Sequence, residues 1–431
     1  MKFTKGVLTV KYKQSFYNIN LADEGYKDVG VGVIYNTLLG TFSEISNDID
    51  LNNPPKELIE SGFIVPFDVD ESKEYISKQK SMFQEDYPPY ITFVIANMTC
   101  NFSCAYCFEK GKHGANMSEE TLTDIIAYIR KEIDRNKNLK YLRIKFFGGE
   151  PLLRMDIIKK VSEFVIPYCQ NKGIDYSAQI ITNGYYFTKE VSHLLNTYKV
   201  KLAHIAIDGF EEDYISMRNA PKDAFQRVIQ NIEDSEVKVV IRINVTKTNK
   251  DIICDLIKYL YTLQSVKEKR TSIDIVGVCL YENNEYYDFT DEEWLECRKT
   301  YIDTLREFEE PSKMIHLDKV RHLTCGMLGK RSVILCGDRY IYRCDRQLGN
   351  TDCIIGTIKD GICEDNAIDK EFRCVVADDE CMKCQYLPIC GGTGNCKYKY
   401  LQMGKPCYLI KNRFRQNMQN YLTYVRKEQV N

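Results

Sequence analysis

No run in this sequence is apolar enough to enter a membrane, and neither sign of charge is in excess. The longest unbroken apolar stretches, such as Ile275 to Tyr281, fall far short of the roughly 20 residues that span a bilayer, so no integral membrane protein is expected. Lys plus Arg number 59 against 61 Asp plus Glu, a formal net charge of -2. That balance leaves no basic footprint for nucleic acid or for an anionic membrane surface. The opening MKFTKGVLTVKYKQ places Lys2, Lys5, Lys11 and Lys13 where an export signal needs an apolar core, and a cytoplasmic location is expected. Internal repeats and low-complexity segments are lacking too.

Cysteine is missing before Cys100 and unevenly spread beyond it: seven lie from Cys100 to Cys297 and eleven from Cys325 onward. Eighteen in 431 residues is too sparse for a disulfide scaffold, and in a reducing compartment such residues read first as metal ligands or redox groups. The composition is otherwise that of an ordinary globular protein, 44% apolar and 28% charged. At roughly 150 residues per domain the length allows about three domains.

The chain divides into three zones. Residues 1–85 alternate like strands in VLTVKYK and VGVGVIYN, turn at LNNPP, and carry a short helix candidate, PKELIESG. An acidic DVDESKEY and the helix-prone ISKQKSMFQED lead to Pro88 and Pro89, a linker. Residues 86–310 then alternate six apolar runs with amphipathic helical stretches, from ITFVIA and SEETLTDIIAYIRKEI to SIDIVGVCL and DEEWLECRKTYIDTLREF. This is the pattern of an α/β parallel sheet with helices outside, open or closed into a barrel, with its active edge at the strands' C-terminal ends. In residues 311–431 the periodicity fails and short segments lie between cysteines and glycines, as where metal clusters hold the fold.

After the first run comes NMTCNFSCAYCFE, which spaces Cys100, Cys104 and Cys107 by three and then two residues. Three local thiolates on a four-iron cubane leave one iron open to chelate a cofactor or substrate. A zinc site with His113 as fourth ligand, a disulfide, or buried structural thiols are the other readings of these cysteines. Gly148-Gly149-Glu150-Pro151 comes after the second run and taken alone reads equally as a tight turn.

Together these residues, with Tyr106 before the last cysteine, closely resemble the radical S-adenosylmethionine (SAM) enzymes over roughly residues 90–310. The resemblance implies a partial (β/α)6 TIM-like barrel. It implies a 4Fe-4S cluster on Cys100, Cys104 and Cys107 whose open iron holds SAM, a GGEP loop facing the SAM ammonium, and a 5'-deoxyadenosyl radical that abstracts a substrate hydrogen. Asn183, Asp208 and Arg218 match further cofactor-contacting positions. Arg218 corresponds to the partner of the SAM carboxylate, for which a guanidinium fork is suited, or is a solvated loop arginine; Asn183 is a SAM contact or a turn residue. Ala206 stands where relatives often place a serine.

The later cysteines, Cys325, Cys344, Cys381, Cys384, Cys390, Cys396 and Cys407, look like a SPASM domain with two auxiliary 4Fe-4S clusters. By resemblance Cys381, Cys384, Cys390 and Cys407 hold the outer cluster, and Cys325, Cys344 and Cys396 the inner one. Its fourth ligand is left among Cys336, Cys353, Cys363, Cys374 and a substrate thiolate. Two departures stand out: Arg339 replaces the usual glycine, and five rather than three residues separate Cys390 from Cys396. Asp345 corresponds to a general base in sulfatase-maturing relatives, or is a hydrogen-bonding group beside the cluster.

Residues 1–85 are similar to the leader-binding module of such maturases, or form a plain packing domain. The resemblance therefore implies a peptide maturase that forms thioether crosslinks in a cysteine-containing precursor peptide with a leader, fed by a low-potential donor such as flavodoxin or ferredoxin. The alternatives are a carbon-carbon crosslinking maturase, a sulfatase maturase and an iron-sulfur electron carrier. Phe147 stands where sulfatase maturases generally carry glutamine.

Overall fold

The computed structural model describes residues 10–26, 32–109, 116–278, 289–310, 317–394 and 396–425. His113, Cys279 and the first part of each N-terminal strand candidate lie outside them. The chain divides into two compact units, Phe83–Phe308 with Cys325–Cys374, and Met1–Met82 with Glu309–Thr324 and Val375–Asn431. The cysteine-rich region, expected as one C-terminal piece, is thus shared between them.

In the first unit the six apolar runs are strands β1 (Tyr90–Asn97), β2 (Tyr141–Gly148), β3 (Asp175–Thr182), β4 (Val200–Ala206), β5 (Lys238–Val245) and β6 (Thr271–Gly277). They lie in sequence order and run parallel, in registers such as Ile95 with Phe146 and Arg242 with Asp274. A seventh strand, β7 (Val333–Cys336), joins the free side of β1 in parallel, pairing Val333 with Phe93. Three short antiparallel strands, β8 (Tyr340–Tyr342), β9 (Gly356–Thr357) and β10 (Gly361–Ile362), complete an open sheet of ten.

Three of the helices that follow these strands begin at a side-chain cap written in the sequence. Ser118 accepts Thr121 N–H and caps α1 (Glu119–Arg135), and Thr188 does the same from Val191 for α3 (Lys189–Thr197). Between them lies α2 (Met155–Asn171); α4 (Glu211–Arg218), α5 (Ala224–Glu233) and α6 (Ile253–Leu260) come next. Before α7 (Asp291–Leu305), Thr290 and Glu293 form a full capping box.

Alternation decides the two faces of the sheet. Leu142, Ile144 and Phe146 of β2 are buried in the core that the helices close, together with residues such as Val161 and Ile205. Tyr141, Arg143 and Lys145 turn to the other face and keep partial exposure. All loops that leave the C-terminal ends of β1 to β5 emerge on one edge, so sequence-distant segments meet there.

The second unit has a three-stranded antiparallel sheet (Asn18–Asn20, Val33–Asn36, Thr41–Glu44) and a two-stranded one (Tyr12–Gln14 with Ile64–Pro66). The expected helix appears as Lys56–Glu60. Tyr35 is buried against Phe414 of the helix Cys407–Asn420, ring centroids 5.5 Å apart, and its hydroxyl donates to the Asp318 carbonyl at 3.1 Å. Among the described residues no helix is long and apolar enough to cross a membrane.

Candidate active site

The loop after β1 holds the cysteine triad and is fastened from outside. Ala105 N–H donates to the Met217 carbonyl at 2.8 Å and Ser103 N–H to that of Arg218 at 3.2 Å, so the end of α4 carries the triad loop. The GGEP segment closes its other side. Gly148 has φ 114°, and a side chain there would collide with the Asn97 carbonyl. A Cβ on Gly149 would lie 2.9 Å from the Cys100 Cβ and also strike Thr99. Only glycines let β2 end this close to the triad.

Glu150 is wholly buried and its carboxylate is fully engaged. It accepts Leu152 N–H at 2.9 Å, the Thr182 hydroxyl at 2.7 Å and Asn183 N–H at 2.7 Å, tying the ends of β2 and β3. Burial raises its carboxyl and these donated bonds pull it back. Pro151 opens the short turn Pro151–Arg154 that leads into α2. Asn183 is a turn residue whose side chain also reaches the triad loop. Its Oδ1 accepts Tyr185 N–H at 3.0 Å as in a turn, while its Nδ2 donates to Asn101 Oδ1, inside the triad, at 2.8 Å.

Asp208, after β4, is the hub of the far side. Its Oδ2 accepts Arg218 Nη1 at 2.9 Å and the Tyr106 hydroxyl, and its Oδ1 accepts Asn244 N–H at 2.9 Å and Asn244 Nδ2 at 3.0 Å. Asn249 Nδ2 donates to the Asp208 carbonyl at 2.6 Å. Arg218 is only 6% exposed, which removes the solvated-loop reading. Its Nη1 also reaches the Ala206 carbonyl at 3.0 Å, and its Nε is buried with no hydrogen-bond partner. Asn101, Thr182, Asn244 and Asn249 complete the network, and sequence reasoning misses them because a single asparagine or threonine in a loop or at a strand end carries no signal of its own.

The triad itself fits an iron-sulfur cluster. Burial pushes the Cys100 thiol up to about 11, with Glu150 and the neighbouring Cys104 and Cys107 adding to it, and burial raises Cys104 against the opposing pull of Arg218. Such thiols become thiolates when a metal supplies the missing positive charge. Among the described residues no three Cys, His, Asp or Glu side chains meet at one metal ion. A cubane does not ask for that, since it takes each cysteine on a separate iron.

Beyond β8 the chain comes back into contact with the residue that follows the triad. Cys344 Sγ donates to Asp345 Oδ1 at 3.3 Å, and that oxygen also accepts Arg346 N–H at 2.9 Å. The Arg346 guanidinium lies 4.1 Å from the ring centre of Phe108, next to Cys107, and Phe108 stacks on Phe147 at 6.2 Å. Cys336 is buried with Phe147 and Leu348, and half-buried Cys353 packs on the same group. Arg339 adopts φ 74°, a left-handed conformation that glycine takes without strain, so the turn forms with arginine in place.

In the second unit Cys381, Cys384, Cys390 and Cys407 line one cavity of about 730 Å³, with Phe16, Tyr386, Lys383, Lys405 and Arg415 among its other walls. Gly391, Gly392 and Gly394 all have positive φ. A side chain on Gly392 would collide with the Val376 carbonyl, and one on Gly394 would come within 2.6 Å of Pro406, so glycine lets these cysteine loops close. Burial pushes Cys381 up to about 11 and raises Cys390, so both are thiols in the absence of a metal. Cys396 belongs to this unit and caps the helix Lys397–Met403, whereas Cys325 and Cys344 belong to the other.

Residues 94–260 match the family model described as the Radical SAM superfamily. That segment is similar to radical SAM domains. The match is joined by a 32% identity over 214 residues, 44% of this chain, with the radical SAM cyclopropyl synthase TigE of Paramaledivibacter caminithermalis. A GTP 3',8-cyclase of Nautilia profundicola is 26% identical over 48% of the chain. The aligned parts span 43% and 61% of those two relatives' own lengths. Among solved structures, anSMEcpe with bound AdoMet superposes at TM-score 0.59 with 19% identity, over 80% of this chain and 94% of the other. Streptococcus suis SuiB bound to precursor peptide SuiA gives 0.53 and 15%, over 84% and 82%. These two share the fold.

Proposed function

We propose that the protein is a radical SAM enzyme that modifies a ribosomally made precursor peptide, joining a cysteine sulfur to a carbon of another residue. The observation that carries this reading is the second cysteine field, four cysteines around one cavity, in a chain whose triad already offers a first cluster site. A radical enzyme needs only the triad to begin a reaction. Further clusters have a use where an electron must leave the substrate or a thiolate must be held, and thioether formation asks for both. The peptides named with anSMEcpe and SuiB point the same way.

The reading assigns three 4Fe-4S clusters: one to Cys100, Cys104 and Cys107, an outer one to Cys381, Cys384, Cys390 and Cys407, and an inner one to Cys325, Cys344 and Cys396. Held by Cys100, Cys104 and Cys107, a cluster with SAM would supply the one-electron chemistry that opens the reaction at a substrate carbon. The chain's own part is to hold that site. Gly148, Gly149 and Pro151 let β2 close on the triad, while Asp208 anchors Arg218 and Tyr106 beside it. Asp345 receives the proton of the substrate thiol. Residues 1–85 bind the leader, 86–310 carry out hydrogen abstraction, 311–431 hold the auxiliary clusters, and a flavodoxin or ferredoxin delivers electrons.

A second reading, a carbon-carbon crosslink, is favoured by the identity with a cyclopropyl synthase. One experiment separates the two. Anaerobic reaction of the reconstituted enzyme with a cysteine-containing precursor peptide, SAM and a reductant should remove two hydrogens per crosslink and leave a cysteine that iodoacetamide no longer alkylates. An alkylatable cysteine in a dehydrogenated product would establish the carbon-carbon bond, and an unchanged peptide would overturn both.

A further inference from the structure

The face of the parallel sheet turned away from the helices carries Arg143, Lys145 and Arg242 outside any ion pair among the described residues, with exposed Asp274 beside Arg242. Residues two apart on a strand share a face, so Arg143 and Lys145 of β2 lie on the side that also carries Phe147, and Arg242 of β5 lies with Asn244. Arg242 is exposed, and Arg143 and Lys145 keep partial exposure. Among the described residues none of the three is in an ion pair. Arg143 Nη2 reaches only the Tyr141 hydroxyl at 3.5 Å, and its Nε is buried without a partner; Arg242 Nε meets Asn244 Oδ1 at 3.3 Å. Asp274, the Cα partner of Arg242, forms no ion pair with it.

His204 of β4 reports the field between these strands. Burial lowers it first, and Lys145 and Arg242 lower it further against the opposing effect of Asp274. Two cations thus act on one imidazole from strands on either side of it. The position is close to the chemistry: Lys145 lies two residues before Phe147 and three before Gly148, and Arg242 two before Asn244, which donates to Asp208.

We propose that this face binds the carboxylates of an acidic stretch of the peptide substrate, through Arg143 and Lys145 on one side and Arg242 on the other. The proposal rests on the peptide-modifying reading above and names the class of peptide. The spacing favours a peptide over a compact anion. Strands β2 and β5 are three strand spacings apart, about 14 Å across the sheet at about 4.8 Å each, and the register sets Lys145 level with Lys238, four residues before Arg242, which adds about 13 Å along the strands. An extended chain covers the resulting distance of about 20 Å in about six residues, so two acidic side chains six apart would meet the two cationic positions. Partly buried cations that lack a protein counterion gain most from such a partner.

The probe is acetyl-Glu-Gly-Gly-Cys-Gly-Gly-Glu-amide against its glutamine counterpart, titrated calorimetrically into the anaerobic holoenzyme with SAM at low salt. The glutamate peptide is expected to bind at least about tenfold more tightly, the preference shrinking with added salt. Lys145→Met with Arg242→Met should bring it to within about twofold, while Lys201→Met, on the same sheet but at an exposed position, should leave it intact. Equal binding of the two peptides by the unaltered protein overturns the inference, as does GTP binding with no preference for the glutamate peptide. Loss of SAM cleavage in the unaltered protein would instead strike the reading beneath it, so the two failures are told apart.

Discussion

Arg218 and Asp208 form an ion pair of 2.9 Å with side chains 8% and 0% exposed, and the backbone of Arg218 also accepts from the triad loop. A sequence motif matched to a cofactor contact is in this structure equally the clamp of the cysteine loop. Removing one partner of a buried pair strands the other, at about 3–5 kcal/mol. Asp208→Asn is therefore expected to lower the unfolding free energy by about 3 kcal/mol in denaturant titration of the metal-free protein. A loss below about 1 kcal/mol would show that the pair does not hold the loop.

Arg339 occupies a left-handed backbone position, with its guanidinium paired to exposed Glu120. A side chain in that conformation costs about 1 kcal/mol relative to glycine, and an exposed pair returns less than that. Arg339→Gly should thus be neutral or stabilising by up to about 1 kcal/mol. A clear fall in the thermal midpoint would contradict it.

Arg343 is fully buried beside Cys344. Its Nε meets Asp369 at 2.8 Å, and its Nη1 collects the carbonyls of Gly329 at 2.9 Å and Ser332 at 2.6 Å, in the loop that begins at Cys325. Arg343→Met should cost about 3 kcal/mol and reduce iron retained after reconstitution. Arg343→Lys should restore little, since a point charge cannot span carboxylate and carbonyls together. Full iron content in the methionine variant would refute this role.

His204 has its ordinary value lowered in the folded protein, by burial first and then by Lys145 and Arg242. Its neutral form is favoured on folding, so the contribution is complete above the unfolded value near 6.5 and is lost as pH falls toward the lower folded one. His204→Gln should flatten the acid side of the stability curve below about pH 6.5. An identical slope in both proteins would contradict the direction of the shift.

The six strands and their helices were legible because their apolar runs and caps keep to the periods of strand and helix. The seventh strand was not. VILC is only four residues long, and its place beside β1 is decided by pairing with Phe93 and Ile95, far away in sequence. The triad and GGEP were legible because their spacing is chemistry. The role of Glu150 was not, since a buried carboxylate that ties two strands and one that faces a cofactor look alike in sequence. Arg339 could be recognised as a departure, and only its φ shows how the fold absorbs it.

The central claim is that Cys100, Cys104 and Cys107 hold a redox-active cluster that splits SAM. The most direct test is release of 5'-deoxyadenosine by anaerobically reconstituted protein given SAM and dithionite. The unaltered protein should release it, and the variant with all three cysteines changed to alanine should release none while keeping iron at the other cysteines. Equal release from both, or zinc in place of iron in the unaltered protein, would contradict the account.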